Sequence, residues 1–430
     1  MGKKEETQKM RKANMKVFPN YKKIAWDYLF YYTIDFLFLT QIKHISPADV
    51  VLVSSIGALF SVLLQIPANI IIEFLGRKNS IILGNVLNCL YLVMFMMCNN
   101  FIGLIMAKFV SSLAFALKDI AEPSLLNESI PPSKYKSDIF SKINAKGAAG
   151  YYILGAISKI IAGFLFEING YLPMICSLGI LIIVTLLSLT FIEPIKKEKK
   201  SFDYIIGKQQ IKDIQEGFKF IIKSERLKAL IIATSLIASL LTILLNYQTN
   251  LLQYLNLSAA AIGMIAAIFS IASAYASKKE KWFQKMFKNK SIMVIALTIS
   301  ITTMIAGIVA IEAQTIRWLA IIVLICLALT KFAHGMFYTI IDKYFRNFSN
   351  EKIDTKIFAV KNLFKNVVVA FMGFIASFLL DKMSIAYCMI IVGIAFSIIF
   401  VLMGKYMKTR VGKKPEEYSR EERRYDELIK

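Results

Sequence analysis

Two histidines and five cysteines are all that 430 residues provide of the usual metal and disulfide chemistry. The cysteines, at positions 89, 98, 176, 326 and 388, lie inside apolar runs with no CxxC spacing, so neither a zinc site nor a disulfide framework is expected. No HExxH, DDxxD, Gly-x-Gly-Asp or P-loop pattern occurs. Metal-dependent or intramembrane catalysis and ATP-driven pumping are therefore not expected, and neither is an enzyme. The basic N-terminus has no apolar core, and the first apolar run contains Asp27 and Asp35 with no small-residue cleavage site after it, so a removable signal peptide is not expected either. Acidic residues are also scarce: 29 Asp and Glu stand against 52 Lys and Arg, leaving a formal charge of +23.

What remains is overwhelmingly apolar. At 57% apolar and 19% charged residues the chain exceeds the ~45–50% apolar share of soluble domains and reads as a membrane protein. A span needs ~20 apolar residues, and the runs predict twelve helices: 24–41, 50–72, 80–97, 101–126, 143–166, 171–192, 229–253, 259–277, 291–311, 317–341, 358–380 and 385–407. The predicted fold is all-α, two six-helix bundles at 24–192 and 229–407. A basic tail (1–23), a linker (193–228) and a second tail (408–430) complete the chain. Within the linker, Ile211, Ile214, Phe218, Ile221 and Ile222 recur at helical spacing, which predicts an amphipathic helix on the membrane surface.

With both termini placed in the cytoplasm, the outer connections hold only Lys43, Arg317 and Lys382, while most other basic residues fall in the inner connections and tails. This asymmetry explains the positive charge as orientation and as attraction to an anionic inner leaflet, without a nucleic-acid partner. The tails are expected to be solvated or to lie on that leaflet.

The halves also repeat. Leu104, Lys108, Ser112, Phe115 and Asp119 on the fourth span correspond to Leu327, Lys331, Gly335, Tyr338 and Asp342 on the tenth, each shifted by 223 residues. The steps of four, three and four place these types along one helical face in both halves. Ile139, Phe140 and Asn144 pair likewise with Ile357, Phe358 and Asn362.

These features resemble the major facilitator superfamily of secondary transporters over nearly the whole chain. The loop Asn69-Ile70-Ile71-Ile72-Glu73-Phe74-Leu75-Gly76-Arg77-Lys78 is similar to the family's Gly-x-x-x-Asp-Arg-x-Gly-Arg-Lys signature, with Asn69 and Phe74 departing from it. Leu104, Lys108, Ser111, Ser112 and Ala114 resemble its Leu-x-x-x-Arg-x-x-Gln-Gly-x-Gly pattern, with Lys in place of Arg, and the antiporter Gly-Pro pair of the fifth span is missing. The resemblance is to drug-efflux-type members. It implies alternating access, a proton gradient rather than a cofactor as energy source, a small amphipathic substrate with export favoured, a monomer, and a bacterial inner or plasma membrane location. It also implies a cytoplasmic gate at Glu73, Gly76, Arg77 and Lys78, which Asp119, Glu122 and Asp342 are expected to join.

Ionisable side chains inside spans usually face a cavity or a partner. Asp35, Lys108 and His334 are the candidates for proton coupling. Tyr31, Asp35, Lys108, Ser112, Phe115, Ser239, Thr242, Asn246, Lys331 and Tyr338 are the candidates for lining the substrate cavity. Asp27, Tyr31 and Asp35, four residues apart, are expected to form one helical stripe, with Asp35 near the midplane and Asp27 structural and closer to the inner surface. Each assignment has a competitor. Asp35 could serve only in an ion pair with Lys108 or Lys331, His334 only in helix packing, and the Ser239 stripe only in packing between helices. Two lysines beside one carboxylate favour an organic anion or an anionic lipid as an alternative substrate, and a transporter-derived sensor or scaffold is the alternative of another class.

Overall fold

A computed structural model of the protein describes residues 2–131, 135–193, 204–348, 354–408 and 411. Among them there are helices and connecting turns, and no strand. In chain order the helices are α1 (Gly2–Ala25), α2 (Asp35–Leu37) continued by a π-helical turn at Phe38–Ile42, α3 (Pro47–Leu63), α4 (Gln65–Leu75), α5 (Arg77–Met97), α6 (Phe101–Ser129), α7 (Lys136–Ile168) and α8 (Leu172–Leu189). They continue as α9 (Tyr204–Lys223), α10 (Glu225–Tyr254), α11 (Ala259–Lys278), α12 (Glu280–Phe287), α13 (Ser291–Ala313), α14 (Leu319–Phe348), α15 (Asp354–Lys382) and α16 (Ile385–Lys408).

Ten of these are long and apolar enough to cross a bilayer. The pair α3 and α4, bent by 51° at Leu64, meets the same criterion of length and composition only when the two helices are taken together. Pro67 explains the bend, since it has no N–H to donate to the Leu63 carbonyl. The first expected span is not a helix of its own. Its inner part belongs to α1, which ends at Ala25, and the chain then runs irregularly to Asp35. The expectation that residues 1–23 form a solvated tail is likewise corrected, because from Asn14 onward one face of α1 is buried: Phe18 is 2% and Tyr21 0% exposed. The lysines of this segment masked a buried face. The linker does carry a helix, α9, with Phe220 and Ile221 buried and Phe218 and Ile222 exposed.

The chain forms two compact units. The first comprises 1–46, 59–208 and 258–267. Its core joins Phe18 and Tyr21 of α1, Ala68 and Ile72 of α4, Leu117, Ala121 and Leu125 of α6, and Val184 beyond them on α8. Asn14 ties the start of this packing down, donating to Ser129 Oγ (3.0 Å) and to the Ile192 carbonyl (2.7 Å), and accepting from Ile192 N–H (2.9 Å). The backbone of residues 259 and 260 lies so close to α7 that a Cβ on Gly163 would stand 2.5 Å from the Ala259 oxygen.

The second unit comprises 47–58, 209–257 and 268–430. Here α13 packs against α14 and α16, and α10 against α15. Small residues permit the close crossings expected of helices in lipid. At Gly335 a Cβ would lie 2.1 Å from the backbone oxygen of Ser273, whereas a Cβ on Gly179 in the first unit would meet nothing within 4 Å. Gly335→Ala is therefore expected to destabilise by about 1–3 kcal/mol through overpacking, and Gly179→Ala to leave the thermal midpoint at or above that of the wild type. Parallel melting curves of the two variants check this, and equal midpoints would refute the assigned crossing.

Candidate functional site

Residues 26–34, between α1 and α2, are the irregular stretch from which the site is built. Two aspartates compete with the helix locally. Asp27 Oδ1 accepts from Tyr28 N–H (3.0 Å) and Asp35 Oδ1 from Phe36 N–H (2.8 Å), pulling these amides away from helical partners. Phe30 has φ +67°, in the left-handed region that a bulky residue adopts only when its surroundings impose it. Unpaired backbone at membrane depth is tolerated only where protein or a watery cavity satisfies it. Here the protein does so: Lys118 Nζ donates to the Ala25 carbonyl (2.8 Å) and Ser177 Oγ to the Leu29 carbonyl (2.6 Å).

A hydroxyl-rich aromatic cluster surrounds the break. Tyr28 packs its ring in parallel with Tyr91 (5.5 Å between centroids) and Tyr32 (5.7 Å), and edge-on with Phe115 (5.3 Å). Its hydroxyl donates to Asn88 Oδ1 (2.6 Å) and lies 3.4 Å from Ser111 Oγ. The Tyr31 and Tyr91 hydroxyls are hydrogen-bonded to each other, and Tyr151 donates to Asp27 Oδ2 (3.3 Å). Asn88 Nδ2 is buried with no hydrogen-bond partner among the described residues. A buried, unsatisfied donor between tyrosines is a costly arrangement unless something else occupies it.

The charged candidates stand beside this cluster. Asp35 is half-buried, as is Lys108 on α6. Among the described residues neither group has an ion-pair partner within 4 Å. Ser112 is buried on the same helix as Phe115. Because residues 26–34 are not helical, the expected stripe of Asp27, Tyr31 and Asp35 does not exist as one helical face, and a depth for Asp35 reckoned at a helical rise per residue does not apply. Asp27, expected to be a structural residue near the inner surface, lies in the break itself and bonds to Tyr151.

In the second unit, Lys331, His334 and Tyr338 follow one another on α14, with the His334 and Tyr338 rings 5.5 Å apart and Tyr338 half-exposed. Ser239 and Thr242 on α10 donate to their own helix, at Leu236 (2.8 Å) and Ala238 (2.9 Å), and Ser239 is fully buried. Asn246 is partly buried on the same helix.

The expected gate is wired differently from its sequence reading. Arg77 pairs with Glu128 (2.6 Å) and stands 3.9 Å from Glu193. Glu193 also accepts from the N–H groups of Arg77 (3.2 Å) and Lys78 (2.8 Å), capping the start of α5 where a carboxylate opposes the helix dipole. Gly76 enters this cap at φ +82°, which explains the glycine. Glu73 is partly buried and Asp119 exposed. Glu122 is 2% exposed and holds α1 to α6 within the unit, bonding Lys22 (2.8 Å) and Tyr21 (2.9 Å). The Asp342 side chain lies outside the described residues.

Sequence reasoning missed Asn88, Tyr91 and Tyr151 and met Ser111 only as part of the family pattern. A signal was present: Asn85, Asn88 and Tyr91 recur every three residues inside an apolar run, an arrangement that needs buried partners.

A family profile described as Major Facilitator Superfamily matches residues 27–325 and 248–427. Among solved structures, the nucleoside transporter NupG is 12% identical with a TM-score of 0.66, covering 94% of this chain and 100% of that one. A D-xylose-proton symporter is 12% identical at a TM-score of 0.66, with 94% and 99% covered. A POT family transporter in complex with 5-aminolevulinic acid is 13% identical at 0.63, with 94% and 97% covered. No curated protein sequence matches.

Proposed function

We propose, from the premise that this chain belongs to the Major Facilitator Superfamily, that it is a proton-coupled secondary transporter that exports a small amphipathic molecule by alternating access. The observation that carries this reading is the broken first span, which sets Asp27 and Asp35 beside a cluster of tyrosines and an Asn88 amide that has no partner among the described residues. Stacked tyrosines suit a flat ring, and their hydroxyls with Asn88 suit hydrogen-bonding groups on that ring. A nucleoside, the substrate class named for one similar structure, combines both chemistries. A carboxyl group at the break supplies a site whose charge changes with one proton. Purified protein in proteoliposomes is expected to move such a substrate several-fold faster when a proton gradient is imposed. Flux indifferent to the gradient would remove the coupling from the proposal.

A second reading, an organic-anion carrier, rests on one observation: among the described residues no carboxylate lies within 4 Å of Lys108, so its charge is not cancelled by direct contact. If an anion binds there, Lys108→Gln is expected to lower its affinity by about 10- to 100-fold, the worth of one charge-assisted hydrogen bond. Equal loss for neutral and anionic substrates in competition assays would exclude this reading.

A further inference from the structure

In the second unit one short helix is unlike the rest. Helix α12 (Glu280–Phe287) lies between two candidate spans, on the side where the lysine-rich connections fall. At 3.6 residues per turn its eight residues divide into three stripes. Glu280, Phe283 and Gln284 are buried against the protein, with Phe287 partly so. Lys281 and Lys285, four apart, are exposed on a second stripe. Trp282 (57% exposed) and Met286 (55%) form a third, roughly 100° further round the helix from the lysines.

The surroundings continue both exposed stripes. Lys278, Lys279, Lys288 and Lys290 flank the helix and are exposed, so six lysines fall within residues 278–290. The single acid of that stretch is the buried Glu280. Beside Trp282 opens an apolar groove of about 200 Å³, formed with Phe287, Ile295, Leu329, Phe332 and Met336. An exposed tryptophan next to basic residues at the end of a span is the arrangement of an interfacial anchor, and lysines near an anionic surface are attracted to it.

We infer that this groove and α12 bind one anionic phospholipid of the inner leaflet. An acyl chain lies in the groove against Trp282 and Phe332, and the headgroup phosphate is held by Lys281 and Lys285. Charge complementarity selects this occupant: a neutral lipid could fill the groove but would leave the lysines unused, and a soluble anion would leave the groove empty.

The test uses the full-length protein in mild detergent, titrated with phosphatidylglycerol brominated on its acyl chains or with the equivalent phosphatidylcholine. Bromine quenches nearby tryptophan, and the share of quenching lost in Trp282→Phe reports this site apart from Trp26 and Trp318. Phosphatidylglycerol is expected to quench Trp282 at about tenfold lower concentration than phosphatidylcholine, a preference lost in Lys281→Gln/Lys285→Gln. These lysines are solvent-exposed, so the variant should fold, and an unchanged melting curve in detergent confirms it. Ala333→Phe, which narrows the groove, is expected to weaken quenching by both lipids. Equal quenching by the two lipids, or a preference that survives the double substitution, would overturn the inference. So would full competition by glycerol phosphate, which has the headgroup charge but no chain.

Discussion

Lys118→Met is expected to destabilise the protein by about 3–5 kcal/mol, the range for breaking a buried charge network by removing one partner. The side chain is 4% exposed and does two things at once. Its ammonium donates to the Ala25 carbonyl (2.8 Å), the last of α1, and stands 3.8 Å from Glu122. Glu122 in turn holds Lys22 at 2.8 Å and receives the Tyr21 hydroxyl at 2.9 Å. Methionine retains much of the stem but leaves the carbonyl at the helix end without a donor and Glu122 with one cation fewer, both out of reach of water. The loss should therefore concentrate in residues 26–34, which ought to exchange amide hydrogens faster than the rest of the unit. A companion substitution tests the assignment independently of charge. A Cβ on Gly84 would stand 2.8 Å from Lys118 Cγ, so Gly84→Ala should destabilise by displacing Lys118. In a Lys118→Ala background the same change should cost far less, because the obstructing stem is gone. A Lys118→Met melting curve that overlays the wild type, or additive effects in the Gly84 cycle, would refute the role assigned to this lysine.

The network also explains what the sequence concealed. Apolar runs predict spans well because a bilayer imposes their length, and ten long apolar helices lie where the runs are, with the bent pair α3 and α4 over the second run. Hydropathy says nothing about backbone, however. The segment from Trp26 to Asp35 is aromatic enough to read as part of a span, and a four-residue spacing of Asp27, Tyr31 and Asp35 imitates a helical face. What decides otherwise is tertiary: donors from α6 and α8 satisfy Ala25 and Leu29, so the helix can stop. Lys22 reads as part of a basic tail until Glu122 of α6 is seen beside it, and the true start of the buried segment was hidden for that reason. The gate signature shows the same limit. Its Gly76 and Arg77 are legible in sequence, but the carboxylates that Arg77 uses, Glu128 and Glu193, are 51 and 116 positions away along the chain. Pairings over such separations leave no local trace.

Asp35→Asn is expected to abolish coupling while preserving the fold of the site, and this separates charge from geometry. Asparagine keeps the oxygen that accepts from Phe36 N–H, so the start of α2 should persist, but it can neither take up nor release a proton. Under the proposed mechanism, gradient-driven flux should fall by about tenfold or more, equivalent to at least about 1.4 kcal/mol, while exchange of substrate across the membrane without a gradient continues. Asp27 is the necessary comparison, because the structure moves it from the margin of the site to its centre. Its two oxygens are both used, by Tyr28 N–H and by the Tyr151 hydroxyl, so Asp27→Asn forces the Tyr151 contact to be rebuilt around an amide. That substitution should lower exchange and gradient-driven flux together, the signature of disturbed substrate positioning. The opposite result, exchange retained and coupling lost only in Asp27→Asn, would transfer the proton-carrying role to Asp27. Wild-type behaviour in both variants would leave no carboxylate in the break to respond to the gradient, and the proton-coupled mechanism would fall with them.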